Sequence, residues 1–228
     1  VPTLRFEEAA ELAFFGARVL HPRTIEPARR AGIPVRVLGT FHVDPARGEL
    51  PVAAQGTLID DQAPVEPVRG MALHQHVQSL HIHSLRMLEA HGFLARVFEI
   101  LARHQISVDV IATSEVSVSM TLDRAEGELP DAVEEISAFA EVELDPPRSL
   151  LCLVGPGLRD DTSLLARIFD VLAAEGVPVR MISQGASRIN ITLVTDPPHA
   201  CRAMQALHAA FFATDRFRPP APGESGAR

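Results

Sequence analysis

Apolar residues near the start recur at Ala9, Ala10, Ala13, Phe14, Ala17 and Leu20, the spacing of one helical face, and predict a helix over 7–20. Pro22 ends that helix or turns the chain. A second short helix is expected over 24–31, stopped at Gly32, and IPVRVLGTF then alternates as a strand. Residues 42–67 are rich in Pro, Gly and Asp, with short strand-like pieces only around Val52 and 57–59. They mark a boundary that closes an α/β region over 1–66.

Beyond Val68 the pattern becomes short strands alternating with amphipathic helices, and it repeats. Residues 93–122 align without a gap on 164–193, an offset of 71, with ten identities in 30 positions. LARVFEILA facing LARIFDVLA is the clearest stretch, so a supersecondary unit has been duplicated. The first copy reads as strands at 77–84, 108–113, 116–122 and 141–144, with helices at 92–104 and 130–138. That order is βαββαβ, a split βαβ unit of ferredoxin-like type. The second copy has strands at 149–154, 179–183 and 189–194 and helices at 162–175 and 198–211, and lacks a fourth strand. The stretch 68–73 is free to supply it, which predicts a discontinuous second module with the first inserted into it. The expected divisions are therefore 1–66, a completing strand at 67–76, a first module at 77–146, a second at 147–212 and a polar tail at 213–228. The fold class is α+β.

Composition narrows the chemistry. A formal charge of −8 argues against a nucleic-acid surface, and no apolar run reaches the roughly 20 residues of a membrane-spanning helix. No signal peptide is visible at the start, and a cytoplasmic location with two buried, reduced thiols, Cys152 and Cys201, is expected. All 21 basic residues are Arg, and there is no Gly-Lys-Ser/Thr phosphate loop. Many phosphoryl-transfer sites place a Lys on the nucleotide phosphates, so a complete kinase site is not expected in this stretch. His74/His76 and His81/His83 lie in pairs on one strand face, but no Cys or carboxylate completes a ligand set of known spacing, and no metal site is expected. Cys152 lies in an apolar strand with no base beside it and is not expected to act as a nucleophile.

FFGARVLHPRTIEPA followed by IPVRVLGTF resembles the closing segment of the aspartate kinase catalytic domain. LHIHSLRMLEAHGFLARVFEILARHQISVDVIATSEVSVSMTLD and RMISQGASRINITLV resemble that family's tandem ACT regulatory modules. The likeness covers about 4–212. It implies a parent enzyme that phosphorylates aspartate with ATP and Mg, fed back upon by an end-product amino acid, lysine ahead of threonine. This stretch would supply control and a homodimer contact through the ACT modules, need no cofactor of its own, and depend on a catalytic lobe that it lacks. The family's Lys-Phe-Gly-Gly-type motif is absent, so the stretch alone is expected to be inactive. Arg18, nucleotide-adjacent by the resemblance, stands where relatives usually have Lys. A free-standing ACT-pair sensor is the alternative, against which the partial kinase lobe speaks.

A free amino acid carries a carboxylate and an ammonium close together, so its sensor needs an anion site beside a cation site. A helix N-terminus supplies the first through its unsatisfied N–H groups. The loop HSLRMLEAHGFL leads into such a terminus, where Gly92 allows close backbone approach and Phe93 and Leu94 carry N–H groups. Asp109 is the expected cation partner, and its counterpart in the second copy is Arg180. By resemblance, Met87, Gly92, Phe93, Leu94, Ser107, Val108 and Asp109 line an effector site that Thr113, Ser114 and Glu115 close. Glu115 would receive the side-chain ammonium of a lysine. Met87 and Phe93 read equally well as core residues, and Ala90 stands where lysine-sensitive relatives often have Ser.

Overall fold

A computed structural model describes residues 1–15, 22–38, 56–88, 91–122 and 129–213. Its N-terminal unit is a small α/β layer. Strand β1 (Thr3–Leu4) pairs in parallel with β3 (Thr57–Ile59), and β2 (Val35–Val37) pairs antiparallel with β3. Helices α1 (Phe6–Phe14) and α2 (Pro22–Ala31) lie beside them. Pro22 opens α2 rather than ending the helix before it, as suits a residue with fixed φ and no N–H to lose at a first turn. The part of the predicted first helix beyond Phe15, the strand piece at Val52 and Arg18 lie outside the described residues.

The rest of the chain builds a seven-stranded sheet. Its strands are β4 (Gly70–His83), β5 (Val108–Thr113), β6 (Ser117–Leu122), β7 (Glu141–Leu144), β8 (Arg148–Val154), β9 (Met181–Ser183) and β10 (Asn190–Thr195). The order is β5-β6-β4-β8-β10-β9, with β7 also on β4. The two strands predicted at 68–73 and 77–84 are one strand of 14 residues. His76, at φ +66°, forms a bulge at which the register against β8 shifts between Gln75 and Val77. Before the bulge β4 pairs with β8. After it β4 is flanked by β6 and β7. One strand thus serves as the first strand of one ferredoxin-like module and the last of the other, and the second module is discontinuous.

Helices α3 (Phe93–Arg103) and α4 (Leu129–Ser137) cover one face of the first half-sheet through Val97, Ile100, Leu101, Ala132 and Ile136. Helices α5 (Thr162–Ala174) and α6 (Pro197–Phe212) cover the second through Leu164, Ile168, Leu172 and Leu207. Helix α1 lies on the opposite face of the second half, where Ala9 and Leu12 join Ala72, Leu150, Cys152 and Val154 in a third core. Burial on both faces explains the unbroken apolar run of β8, because an open face would have called for polar residues at every second position. Both cysteines are free, but only Cys152 is buried; Cys201 is exposed on α6, contrary to the expectation of two buried thiols. Burial pushes the Cys152 thiol up to about 12, which keeps it protonated and inert at neutral pH.

Candidate functional site

Strand β4 ends at His83 and delivers the chain into the loop that carries most of the candidate residues. Ser84 N–H donates to the Val116 carbonyl at 2.9 Å, tying the loop's start to the β5–β6 turn. A short 3-10 turn over Leu85–Leu88 follows, with Met87 half-buried against the first-module core. Gly92 then takes a left-handed φ of +84°, and among the described residues beyond its chain neighbours no side chain lies within 4 Å of where a Cβ would stand. Open space there leaves the N-terminus of α3 accessible, as the close-approach role of Gly92 requires. Beside the loop lies a cleft of about 460 Å³ lined by His83, Ser84, Leu85, Phe139 and Glu141.

Comparison of the two copies sharpens the reading of that terminus. Helix α5 is capped by its own sequence, the Asp161 carboxylate accepting from Ser163 N–H at 2.9 Å. Hydrogen bonds from the Ser163 hydroxyl, at 2.6 Å, and from its N–H hold the Asp161 carboxyl below its ordinary range. Among the described residues helix α3 has no side-chain cap, its N-cap being Gly92. In the second module a resident carboxylate therefore sits where the first leaves its N–H groups for another acceptor. Phe93 is buried and packs edge-on against Phe139 at 5.6 Å, while the Arg96 guanidinium lies 3.9 Å over the face of Phe139. The Phe93 side chain thus belongs to the core, while Leu94 is exposed.

The ten predicted residues do not form one cluster within the chain. Strands β4 and β5 both run antiparallel to β6 and hence parallel to each other. The α3 N-terminus therefore lies at the same end of the module as Thr113, Ser114 and Glu115. Ser114 closes that turn, its N–H donating to the Ser117 carbonyl at 2.8 Å and its hydroxyl meeting Ser117 Oγ at 2.6 Å. Ser107, Val108 and Asp109 lie at the other end, beyond the 11 residues of α3. At about 3.3 Å per residue, Val108 and Thr113 stand roughly 17 Å apart along β5. Within one chain Asp109 therefore stands apart from the α3 N-terminus, because a βα unit returns the chain to the starting end before the next strand begins. Asp109 also occupies a bulge, since the register against β6 shifts between Val108 and Val110.

Arg180, the counterpart of Asp109, is engaged within its own module. Its Nη2 lies 2.8 Å from Asp196 Oδ2, and Asp196 also binds Arg148. Arg148 Nη2 reaches Asp145 Oδ2 at 2.8 Å, and Asp145 in turn meets His81 Nε2 at 3.2 Å. His81 Nδ1 faces Ser119 Oγ at 2.8 Å. This alternating chain of charges crosses from one module to the other. Sequence reading did not find it, because its members are scattered over β4, the β7–β8 turn, and the ends of α6 and β9. His81, weighed there as half of a metal-binding pair and set aside, has both ring nitrogens in this chain.

Comparison with known proteins agrees with the geometry. The sequence profile of the ACT domain matches residues 82–138 and 151–211. Aspartokinase 2, chloroplastic, of Arabidopsis thaliana is 42% identical over 227 residues, covering 94% of this chain and 40% of that protein. The chain thus spans less than half the length of this curated relative. The crystal structure of Escherichia coli aspartokinase III in complex with lysine and aspartate superposes with a TM-score of 0.78 at 40% identity, over 93% of this chain and 46% of that one. A putative C-terminal regulatory domain of aspartate kinase from Porphyromonas gingivalis is 33% identical with a TM-score of 0.56, over 64% of this chain and 99% of that one. With two matched modules, a shared strand and a regulatory-domain relative covered end to end, the chain belongs to the ACT-domain family, as a regulatory region of the aspartate kinase kind.

Proposed function

We propose that this chain gives feedback control to a kinase that phosphorylates the side-chain carboxylate of aspartate with ATP and Mg, and that it senses an end-product amino acid at a site shared by two copies. The observation that carries the shared site is the division of the candidate residues between the two ends of β5. Met87, Gly92, Phe93, Leu94, Thr113, Ser114 and Glu115 gather at one end, and Ser107, Val108 and Asp109 at the other. Strand β5 is an edge of the sheet and exposes Ile111. Antiparallel pairing of β5 with the same strand of a second copy would lay each Asp109 against the other copy's α3 N-terminus. A two-fold axis near the middle of β5 then creates two equal sites.

In that arrangement the uncapped N–H groups of α3 receive the effector carboxylate and Asp109 its α-ammonium. Glu115 supplies a second carboxylate, which suits a dibasic effector. Lysine is accordingly favoured over threonine, and the lysine named with the Escherichia coli structure supports the choice. Pairing changes the energy of whichever dimer arrangement the ligand prefers, and the attached kinase is biased by that difference in affinity.

Isothermal titration of the chain with lysine, threonine and methionine separately tests the reading. Saturable heat is expected with lysine, and Asp109→Ala is expected to weaken it at least about tenfold, the scale of losing one charge-assisted contact of about 1.5 kcal/mol. Absence of heat with all three amino acids would refute the sensor, and unchanged affinity in Asp109→Ala would remove Asp109 from the site.

A further inference from the structure

Among the described residues only two charged side chains are buried, Glu8 at 0% and Arg69 at 2% exposure, and they face each other across one junction. Glu8 stands on α1 of the N-terminal unit. Arg69 immediately precedes β4. Its Nη2 donates to Thr3 Oγ1 at 3.1 Å and to the Pro64 carbonyl at 2.7 Å, and its Nη1 pairs with Glu66 at 2.8 Å. Its own N–H donates to the Val154 carbonyl at 2.7 Å. One residue thus gathers β1, the connecting segment and β8 around the start of the shared strand.

The contact between the two buried charges is nonetheless incomplete. Arg69 Nε lies 3.5 Å from Glu8 Oε2, which already accepts from Arg5 N–H at 2.8 Å. Neither Arg69 Nε nor Glu8 Oε1 has a hydrogen-bond partner among the described residues. Burial raises the Glu8 carboxyl above its ordinary range despite the guanidinium, in keeping with a poorly compensated charge. Buried polar atoms left in this condition are costly, and an arrangement in which Nε donates to Glu8 lies close by. It needs the separation to close from 3.5 Å to the roughly 2.9 Å of an ordinary hydrogen bond.

Strand β4 connects this contact to the sensing loop. It runs unbroken from Gly70 to His83, and Ser84 begins the loop. At Gly70 the packing on α1 is already tight, since a Cβ there would stand 3.1 Å from Leu12 Cδ1. The bulge at His76 bends the strand without freeing it, because β8 holds it on one side of the bulge and β6 and β7 on the other. A ladder of hydrogen bonds makes such a strand stiff along its length.

We propose that the Glu8–Arg69 contact is a two-position joint that passes the state of the loop after β4 to the N-terminal unit. The joint rests on the sensor reading only for the ligand that drives it. Hydrogen exchange along α1 tests it, measured on the whole chain under two perturbations of the far end: saturating lysine, and the ligand-free substitution Gly92→Ala, which forces a side chain onto a φ of +84°. Each is expected to change α1 exchange at least about threefold, the scale of a fraction of a kcal/mol in local opening. Replacing both charges with apolar residues of similar length, Glu8→Met with Arg69→Met, keeps the packing of α1 and is expected to abolish both responses while saturable lysine heat is retained. Arg69→Met alone would strand the Glu8 charge and undock α1, so the paired replacement is the decisive variant.

An α1 that ignores both perturbations in the natural chain, or that responds equally in the Met pair, would overturn the joint. Should lysine give no heat, the sensor reading falls, and the Gly92→Ala measurement still decides the joint by itself.

Discussion

Gln105 follows the last turn of α3 with a φ of +56°, at the position where the second copy has Gly176 with a φ of +61°. A side chain in the left-handed region costs about 1 kcal/mol, and glycine removes that strain at some cost in unfolded-chain entropy. Gln105→Gly is therefore expected to stabilise the chain by up to about 1 kcal/mol in urea unfolding. Unchanged or lower stability would mean that the Gln105 side chain contributes something the second copy does without. Asp161 and Gly92 show the opposite divergence. The second copy satisfies its helix N-terminus with a resident carboxylate, and no described side chain caps that of the first. The absence of a cap before Phe93 was legible in the sequence once the repeat was aligned. The separation of Asp109 from that terminus was not, because adjacency in a list of motif residues carries no information about which end of a strand each occupies.

At the scale of elements, the charge chain from His81 to Arg180 joins β4 and the β7–β8 turn to the start of α6 and the edge before β9. Burial works against the Asp145 carboxylate, but hydrogen bonds from Arg148 and His81 outweigh it and hold the group below its ordinary range. Hydrogen bonds from Arg180 do the same for Asp196. Carboxylates depressed in the folded state add stability that is present above their unfolded pKa values and is lost as pH falls through the folded ones. The joint between modules is thus expected to persist at pH 5 and to loosen below about pH 4. Asp196→Asn should lower stability at pH 7 and flatten its fall in acid, as read from urea midpoints between pH 7 and pH 3. An acid profile parallel to that of the natural chain would show that Asp196 is not linked to folding. Strand β4 belongs to this scale too. Its two halves read as separate strands because His74, Gln75 and His76 interrupt the apolar pattern. Pairing with β8 before the bulge and with β6 and β7 after it makes them one.

For the whole molecule, the proposed shared site makes a claim that a single-chain site cannot satisfy. A chain carrying Asp109→Ala and another carrying Glu115→Ala each lack one half of every site in their own dimers. Mixed in equal amounts and allowed to exchange, they form hybrids in which one site has both halves intact. About one quarter of the sites are then expected to bind lysine with natural affinity, since half of the dimers are hybrids with one intact site each. Recovery of none after demonstrated exchange would place Asp109 and Glu115 in one chain's site or in none. No helix among the described residues is long and apolar enough to cross a membrane.

Periodicity and the internal repeat by themselves determined two ferredoxin-like modules with the first set inside the second, because apolar spacing reports which face of each element is buried and a duplicated pattern reports a duplicated unit. Composition determined that no lysine could serve a nucleotide here. Only the tertiary structure decided that one strand runs through both modules, that α1 covers the second face of β8, and that the candidate effector residues lie at opposite ends of β5. Each of these depends on contacts between residues distant in the chain. Local patterning constrains which side of an element faces inward, and leaves open what it meets there.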